Sequence, residues 1–425
     1  MEWLGHATTT FTHSKNPLTL TRKHDGSSTD LLSVCEESTP PCRLNPILFN
    51  GHLQTMWTSV KNDGPPICYK RKIFEAEDPA YAGTYAVDFV VPTLSEKDET
   101  LPIRTTYFSD EAFQEIGSLD SKPMLVVLHG LSGGSYEIYL KHVLAPLVAA
   151  EGDRQWEACV INSRGCAMHK ITSSILYNAR ATWDCRQTVK WLRKTFPNRP
   201  LFGAGFSLGA NIITNYIGEE GANCQLKSAV ICSNPWNLDA GSLALQRTWL
   251  GREIYSKTMG SNMKKLIERH HDEVIKNPAL DFEKIRKVTY LHEFDREVQG
   301  PSWGYPTEGA YYRDASSTDA LFAIKIPLFA INAKDDPIAI DEALPYEEVK
   351  QTPYAVLCTT SLGGHLSWFE IDGHRWHARP AVNFLNKMAF EIDIENIADS
   401  ANNLVNKDHL SHARFHAMER KWRND

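Results

Sequence analysis

A serine set between two glycines, Gly205-Phe206-Ser207-Leu208-Gly209, is the first place in this chain where residue type and spacing point to chemistry. A serine hydroxyl is a weak nucleophile at neutral pH. It needs a histidine to take its proton, and the histidine needs a carboxylate to hold its tautomer and stabilise the imidazolium. Downstream the chain offers an aspartate pair, Asp335-Asp336, and then His365, in the order nucleophile, acid, base. Each station follows a short apolar run that reads as a strand, so all three fall at one edge of a sheet. The bland reading of 205–209 is a glycine-rich turn with an exposed serine. The shared placement of the three stations argues against it.

The flanks of the serine define the geometry it requires. Residues 200–206 are apolar and open on Pro200, like a buried strand bounded by proline. Residues 210–217 place Ile213 and Ile217 four apart, on one face of a helix. A strand that turns sharply into a helix crowds the residues two before and two after the serine, so both must be small. Within the aspartate pair, loop register assigns the acid to Asp336: counting from Ala333, the acid follows two spacers and precedes the turn at Pro337. Asp335 is left with a loop-capping or supporting part. For His365, Gly363-Gly364 permit a tight loop that carries the ring to the serine. His374 and His377 lie past that loop and suit solvent-exposed or helix-capping positions. His52 lies far upstream and reads as structural. An oxyanion forming on the substrate needs two backbone N–H donors. The candidates are Leu208, directly after the serine, and Leu131, from the glycine-rich stretch His129-Gly130-Leu131-Ser132-Gly133-Gly134-Ser135.

The elements that must position these residues form an α/β pattern. Apolar runs at 124–128, 158–162, 201–206 and 228–233 alternate with helical stretches at the spacing of a parallel sheet with helices on both faces. Strand-like residues between about 67 and 108 read as an antiparallel opening to that sheet. Residues 236–322 break the alternation with a mainly helical, aromatic-rich segment. It is expected to sit over the strand ends as a cap shaping an apolar acyl site, with Trp236, Leu243, Leu245, Trp249, Tyr255 and Trp303 as its bulky residues. The resulting division is an N-terminal arm (1–44), core (45–235), cap (236–322), core (323–392) and tail (393–425). The arm is polar and weakly periodic and is expected to be poorly ordered or draped on the surface.

Composition narrows the function classes. The 425 residues are 42% apolar and 23% charged, as in a globular protein, and the net charge of -7 argues against a nucleic-acid partner. No run is apolar and long enough to span a bilayer, and the first residues lack a secretory pattern. The expected location is therefore cytoplasmic, with peripheral association with a membrane or lipid droplet left open. The nine cysteines are scattered, with no C-x-x-C pair, and are expected to be reduced and mostly buried. No metal ligands and no cofactor motif are found.

With these residues in place, the chain resembles the α/β-hydrolase group of abhydrolase-domain esterases and lipases. It looks nearest to the fungal medium-chain fatty acid ethyl ester synthase/esterases. The segments that carry the resemblance are NPILFNGHLQT (45–55), HGLSGGS (129–135), GFSLGAN (205–211), YYRDASS (311–317), NAKDDPI (332–338) and GGH (363–365). The resemblance implies a Ser207/Asp336/His365 triad acting on medium-chain or lipid-like acyl esters or thioesters, with water or an alcohol as acceptor. Two competing readings are a specialised-metabolism acyltransferase or hydrolase with an unusual acyl donor, and a catalytically silent binding protein on the same fold. The intact Ser-Asp-His set argues against the silent protein.

Overall fold

Ten short segments rich in β-branched and apolar residues join in one sheet in the computed structural model, which describes residues 4–397 apart from 62 and 95. In chain order they are β1 (Thr9–His13), β2 (Cys68–Glu75), β3 (Thr84–Val91) and β4 (Thr105–Tyr107). There follow β5 (Met124–Leu128), β6 (Glu157–Asn162) and β7 (Leu201–Phe206). The last are β8 (Leu226–Cys232), β9 (Leu328–Ala333) and β10 (Ala355–Thr360). Across the sheet the order is β1-β10-β9-β8-β7-β5-β6-β3-β2-β4. The strands from β10 across to β6 are all parallel. Every residue of β5, β7, β9 and β10 is buried, which is why these strands read as continuous apolar runs without alternation.

The helices used below are α1 (Leu31–Ser38), α2 (Gly51–Trp57), α3 (Ile138–Val148), α4 (Trp183–Thr195) and α5 (Leu208–Glu220). They continue with α6 (Leu238–Arg247), α7 (Lys257–Arg269), α8 (Glu308–Ala315) and α9 (Ala378–Asn386). The step from β5 through α3 to β6 runs one way along the sheet, and the step from β6 through α4 to β7 runs back. Right-handed crossovers then put α3 and α4 on opposite faces. The direction of winding reverses at β5 and β7, so a crevice opens at their C-terminal ends, where open α/β sheets take ligands. The loop 129–135 and Ser207 both start from those ends.

Two sequence expectations change in the folded chain. Residues 4–44 are integrated into the fold: β1 pairs antiparallel with β10, and α1 buries Leu31, Val34 and Cys35. Strand β1 is Thr-Thr-Phe-Thr-His, whose threonines favour a pleated edge without producing an apolar alternation. At the other edge, β2 and β3 pair antiparallel as expected, but β4 returns parallel to β2, against the expected antiparallel opening. The stretch 236–322 contains helices and no strand among its residues. Most of the predicted tail lies outside the described residues. All nine cysteines are free thiols, and seven of them are buried.

A buried charge network under the sheet edge locks the 129–135 loop. Arg71 donates to both carboxylate oxygens of Asp88 at 2.6 and 2.7 Å, and neither side chain is exposed. Asp88 also accepts from Ser135 Oγ and from Asn162 Nδ2. Asn162 Oδ1 in turn accepts from the Ser135 N–H. Two charges withdrawn from water are tolerated because each is paired and hydrogen-bonded; removing one leaves the other buried and uncompensated. Asp88→Ala is therefore expected to cost roughly 3–5 kcal/mol of stability, read as a shift of the urea unfolding midpoint. A loss below about 1 kcal/mol would mean that the network relaxes into water and does not lock the loop.

Candidate active site

Ser207 sits between β7 and α5 with φ 52° and ψ −120°, a conformation that a residue with a side chain adopts only when the surroundings enforce it. The enforcement is visible on both sides. The Ser207 N–H donates to Cys232 O, and its carbonyl accepts from Ala210 and Asn211. A Cβ at Gly205 would lie 2.6 Å from Ala210 Cα, and one at Gly209 would lie 2.3 Å from Leu128 O. The two glycines flanking the serine are therefore required by the close approach of backbone.

His365 lies between the other two predicted residues. Its Nε2 is 2.8 Å from Ser207 Oγ, and its Nδ1 is 2.8 Å from Asp336 Oδ2. Asp336 is 3% exposed, and its Oδ1 accepts from the Ile338 and Ala339 N–H groups. Its carboxylate is thus held by the backbone of its own loop while it meets the ring. Asp335 faces away from the ring: its Oδ1 accepts from the Gly364 N–H at 2.9 Å. Burial pushes the Asp335 carboxyl up to about 6, against the opposing pull of that N–H. The adjacent aspartates therefore divide the work, one meeting the imidazole and the other the backbone of the loop that carries it.

The other histidines take separate places. His374 is exposed. His377 departs from the solvent-exposed or helix-capping expectation: it opens α9 fully buried between Phe206 and Trp368, without capping the helix through its ring. The apolar packing around it comes from β7 and from the 365–369 loop, which are distant in sequence. His52 Nδ1 meets Tyr255 OH at 2.9 Å, which joins α2 to the helical insertion.

Sequence reasoning missed the residues that hold the His365 loop. The His365 N–H donates to Thr55 Oγ1, and Gln54 Oε1 accepts from the Phe369 N–H. Ser233 Oγ accepts from the Leu366 N–H, and the buried Arg375 guanidinium donates to Leu366 O. The signal for Thr55 and Gln54 was the segment 45–55 itself, singled out for resemblance but without a part in the chemistry.

The predicted oxyanion donors stand out by elimination. In the 129–135 loop, Gly130 N–H is taken by Tyr139 OH, Ser132 N–H by Tyr177 OH, and Gly133 N–H by Gly130 O. Among the described residues no protein acceptor meets the N–H of Leu131 or of Leu208, and both residues line one cavity with Ser207. Both N–H groups therefore lack a protein acceptor beside the cavity that Ser207 lines.

Most of the remaining wall comes from the insertion, including the apolar Leu238, Leu245, Met259 and Met263, and Tyr177, Pro235 and Ile338 add to it from the core. Of the six bulky residues expected to shape it, only Leu245 does so. Trp236 is fully buried and donates to Asn332, while Trp249 and Leu243 face solvent. Methionines with no aromatic signature replace them. The insertion is tied to the elbow helix: Asn211 Nδ2 donates to Ala179 O and Ala315 O, and Tyr311 OH accepts from the Ala179 N–H. Asp295 lies in the cavity wall, where burial pushes it up to about 7 although Tyr312 OH donates to it.

The chain matches the alpha/beta hydrolase fold family over residues 123–372. A monoacylglycerol lipase of Saccharomyces cerevisiae is 35% identical over 382 residues, covering 84% of this chain and 83% of that protein. Medium-chain fatty acid ethyl ester synthase/esterase 2 of the same yeast is 29% identical, covering 81% of this chain and 85% of its own. Phospholipase ABHD3 of Homo sapiens is 26% identical, covering 76% of this chain and 72% of its own. No helix among the described residues is long and apolar enough to cross a membrane.

The division between the two aspartates is open to direct test. Asp336→Asn should lower kcat by roughly 10⁴, because it holds the imidazole in the wrong tautomer. Asp335→Asn should act mainly on stability, since the Gly364 N–H keeps an acceptor. Ester hydrolysis and urea unfolding measured on both variants would decide, and a larger kcat loss in the Asp335 variant would reverse the assignment.

Proposed function

This chain belongs to the α/β-hydrolase fold family and is a hydrolase of esters, and we propose that it works as a serine esterase or lipase through an acyl-enzyme on Ser207. The observation that carries this reading is the single imidazole bridging Ser207 Oγ and Asp336 Oδ2 at 2.8 Å on each side. Ser207 Oγ attacks the acyl carbon as His365 Nε2 takes its proton. Asp336 accepts from Nδ1–H and stabilises the imidazolium. The oxygen of the tetrahedral intermediate is received by the Leu131 and Leu208 N–H groups. When the intermediate collapses, His365 returns the proton to the leaving group. Water, deprotonated by the same ring, then releases the acid. The helical insertion acts as a cap whose apolar wall takes a medium-length or lipid-like acyl chain. Relatives named as a monoacylglycerol lipase, an ethyl ester synthase/esterase and a phospholipase support that substrate class.

A second outcome of the same intermediate is transfer to an alcohol. The acyl-enzyme offers His365 either acceptor, and water starts with an advantage of about 55 M in concentration, which an alcohol offsets only through a high effective concentration in the pocket. The apolar lining and the likeness to an ethyl ester synthase/esterase favour it; hydrolysis is the default. A catalytically silent protein would lack the intact bridge.

Ser207→Ala should lower kcat on a p-nitrophenyl ester by something like 10⁶ and abolish labelling by a fluorophosphonate. Activity within tenfold of the natural protein would remove Ser207 from the nucleophile role. With an octanoyl ester and rising ethanol, ethyl ester should grow at the expense of free acid. Free acid alone at every ethanol concentration would leave a plain esterase.

A further inference from the structure

Leu131 lines two spaces. One is the cap cavity; the other is a separate groove of about 1030 Å³, which Ser132 of the same loop also lines. The groove is large enough for a ligand group, and its charge is unlike that of the chain. Arg104, Lys141, Lys265 and Arg269 line it against Glu99 and Glu137, a local excess of cations on a chain of net charge -7. The buried or half-buried Arg71, Arg164, Arg186 and Arg199, by contrast, are each matched to a carboxylate. Among the described residues, none of the four groove cations has an ion-pair partner within 4.0 Å. Burial, and after it the neighbouring Arg104, pull Lys141 below the ordinary lysine value, so like charges face each other here without a full counter-charge. Burial also pushes Glu137 up to about 7, which weakens the acidic side of the groove.

Backbone strain marks the same place. Eight non-glycine residues among those described have positive φ. Four of them, Ser207, Ser233, Leu366 and Trp368, belong to the elbow, to the strand end that holds the His365 loop, or to that loop itself. The other four, Arg104, Ser132, Ala167 and Met168, all line the groove. Strain of this kind costs roughly 1–3 kcal/mol per residue and persists where the surroundings over-determine it, as at ligand sites.

We propose that this groove is a phosphate subsite, which holds the anionic leaving group of an acyl donor while the acyl chain lies in the cap cavity. The inference rests on the acyl-enzyme reading of Ser207. The Ser207 Oγ–carbon bond forms, and the donor's carbon–oxygen or carbon–sulfur bond breaks. The proton passes from Ser207 through His365 Nε2 to the departing oxygen or sulfur, and the phosphate remains on that departing group in the groove. Leu131 is the shared wall, so the scissile carbonyl is placed at its N–H. The phosphate belongs either to a glycerophospholipid or to coenzyme A; both present the same oxyanions to the cations.

The test uses the full chain and a double variant, Lys265→Glu with Arg269→Glu, at two exposed positions on α7 away from the triad. Three octanoyl donors keep the acyl group constant: p-nitrophenyl octanoate, octanoyl-CoA and dioctanoyl phosphatidic acid. The double variant should lose about tenfold or more in kcat/KM on a phosphate-bearing donor, mainly through KM, and stay within about twofold on the neutral ester. Loss on octanoyl-CoA alone identifies the nucleotide, and loss on the phosphatidate alone identifies the lipid headgroup. An equal loss on all three donors, or none on any, overturns the subsite. Calorimetry on the Ser207→Ala protein with coenzyme A and with glycerol 3-phosphate reads the groove without catalysis. Binding that the double variant abolishes supports the subsite even if the acyl-enzyme reading fails. Undetectable or unchanged binding, together with no kinetic discrimination, overturns it.

Discussion

The left-handed backbone at Ser207 is the constraint on which the rest of the active edge depends. It costs of the order of 1–3 kcal/mol and cannot be sustained by the pentapeptide alone. Cys232 O on the neighbouring strand fixes the serine N–H, and the first turn of α5 closes on the serine carbonyl. Leu128 O presses against Gly209 from the other neighbouring strand. A central position between two parallel strands, with no side chain at 205 or 209, satisfies all three demands. The elbow is therefore a property of the whole sheet.

The imidazole of His365 is held in a different way. His365 hangs on a loop whose backbone is fixed by Thr55, Asp335, Ser233 and Arg375, from four separate parts of the chain. Each bond restricts one degree of freedom of a segment that would otherwise move, and preorganisation of this kind keeps the imidazole within reach of both partners. The cost appears as buried polar groups with unusual protonation preferences. Burial holds His377 well below the ordinary histidine value, and Arg375 is drawn down to about 10. The segment 45–57 thus belongs to the site although none of its atoms meets the serine.

The 129–135 loop shows a third solution. Its backbone donors are consumed one after another by Tyr139, Tyr177 and Asn162 side chains, and its Ser135 hydroxyl anchors to Asp88. What remains without a protein acceptor among the described residues is the Leu131 N–H, at the cavity that Leu208 also lines. Stabilisation of an oxyanion depends on donors that need not reorganise as charge develops. In the proposed mechanism, satisfying the rest of the loop leaves the Leu131 N–H to meet that charge.

Several features were legible before folding because short-range chemistry encodes them. The small residues around Ser207, the strand-end placement of Asp336 and His365, and the continuous apolar strands each follow from local sterics or from burial on both faces of a sheet. Loop register separated Asp336 from Asp335, because a carboxylate one residue earlier turns to the other side of the loop. Tertiary structure decided what depends on contacts between distant segments. Threonine-rich β1 is an edge strand because β10 is there to pair with it. Thr55 and Gln54 matter because α2 packs under the His365 loop. Methionines line the cavity where tryptophans were expected, because bulk in a sequence does not reveal which face of a helix turns inward. The cationic groove was also invisible, since Arg104, Lys141, Lys265 and Arg269 are spread over more than 160 positions of the chain. Local pattern specifies conformation; juxtaposition across that distance is set only when the sheet and its helices close.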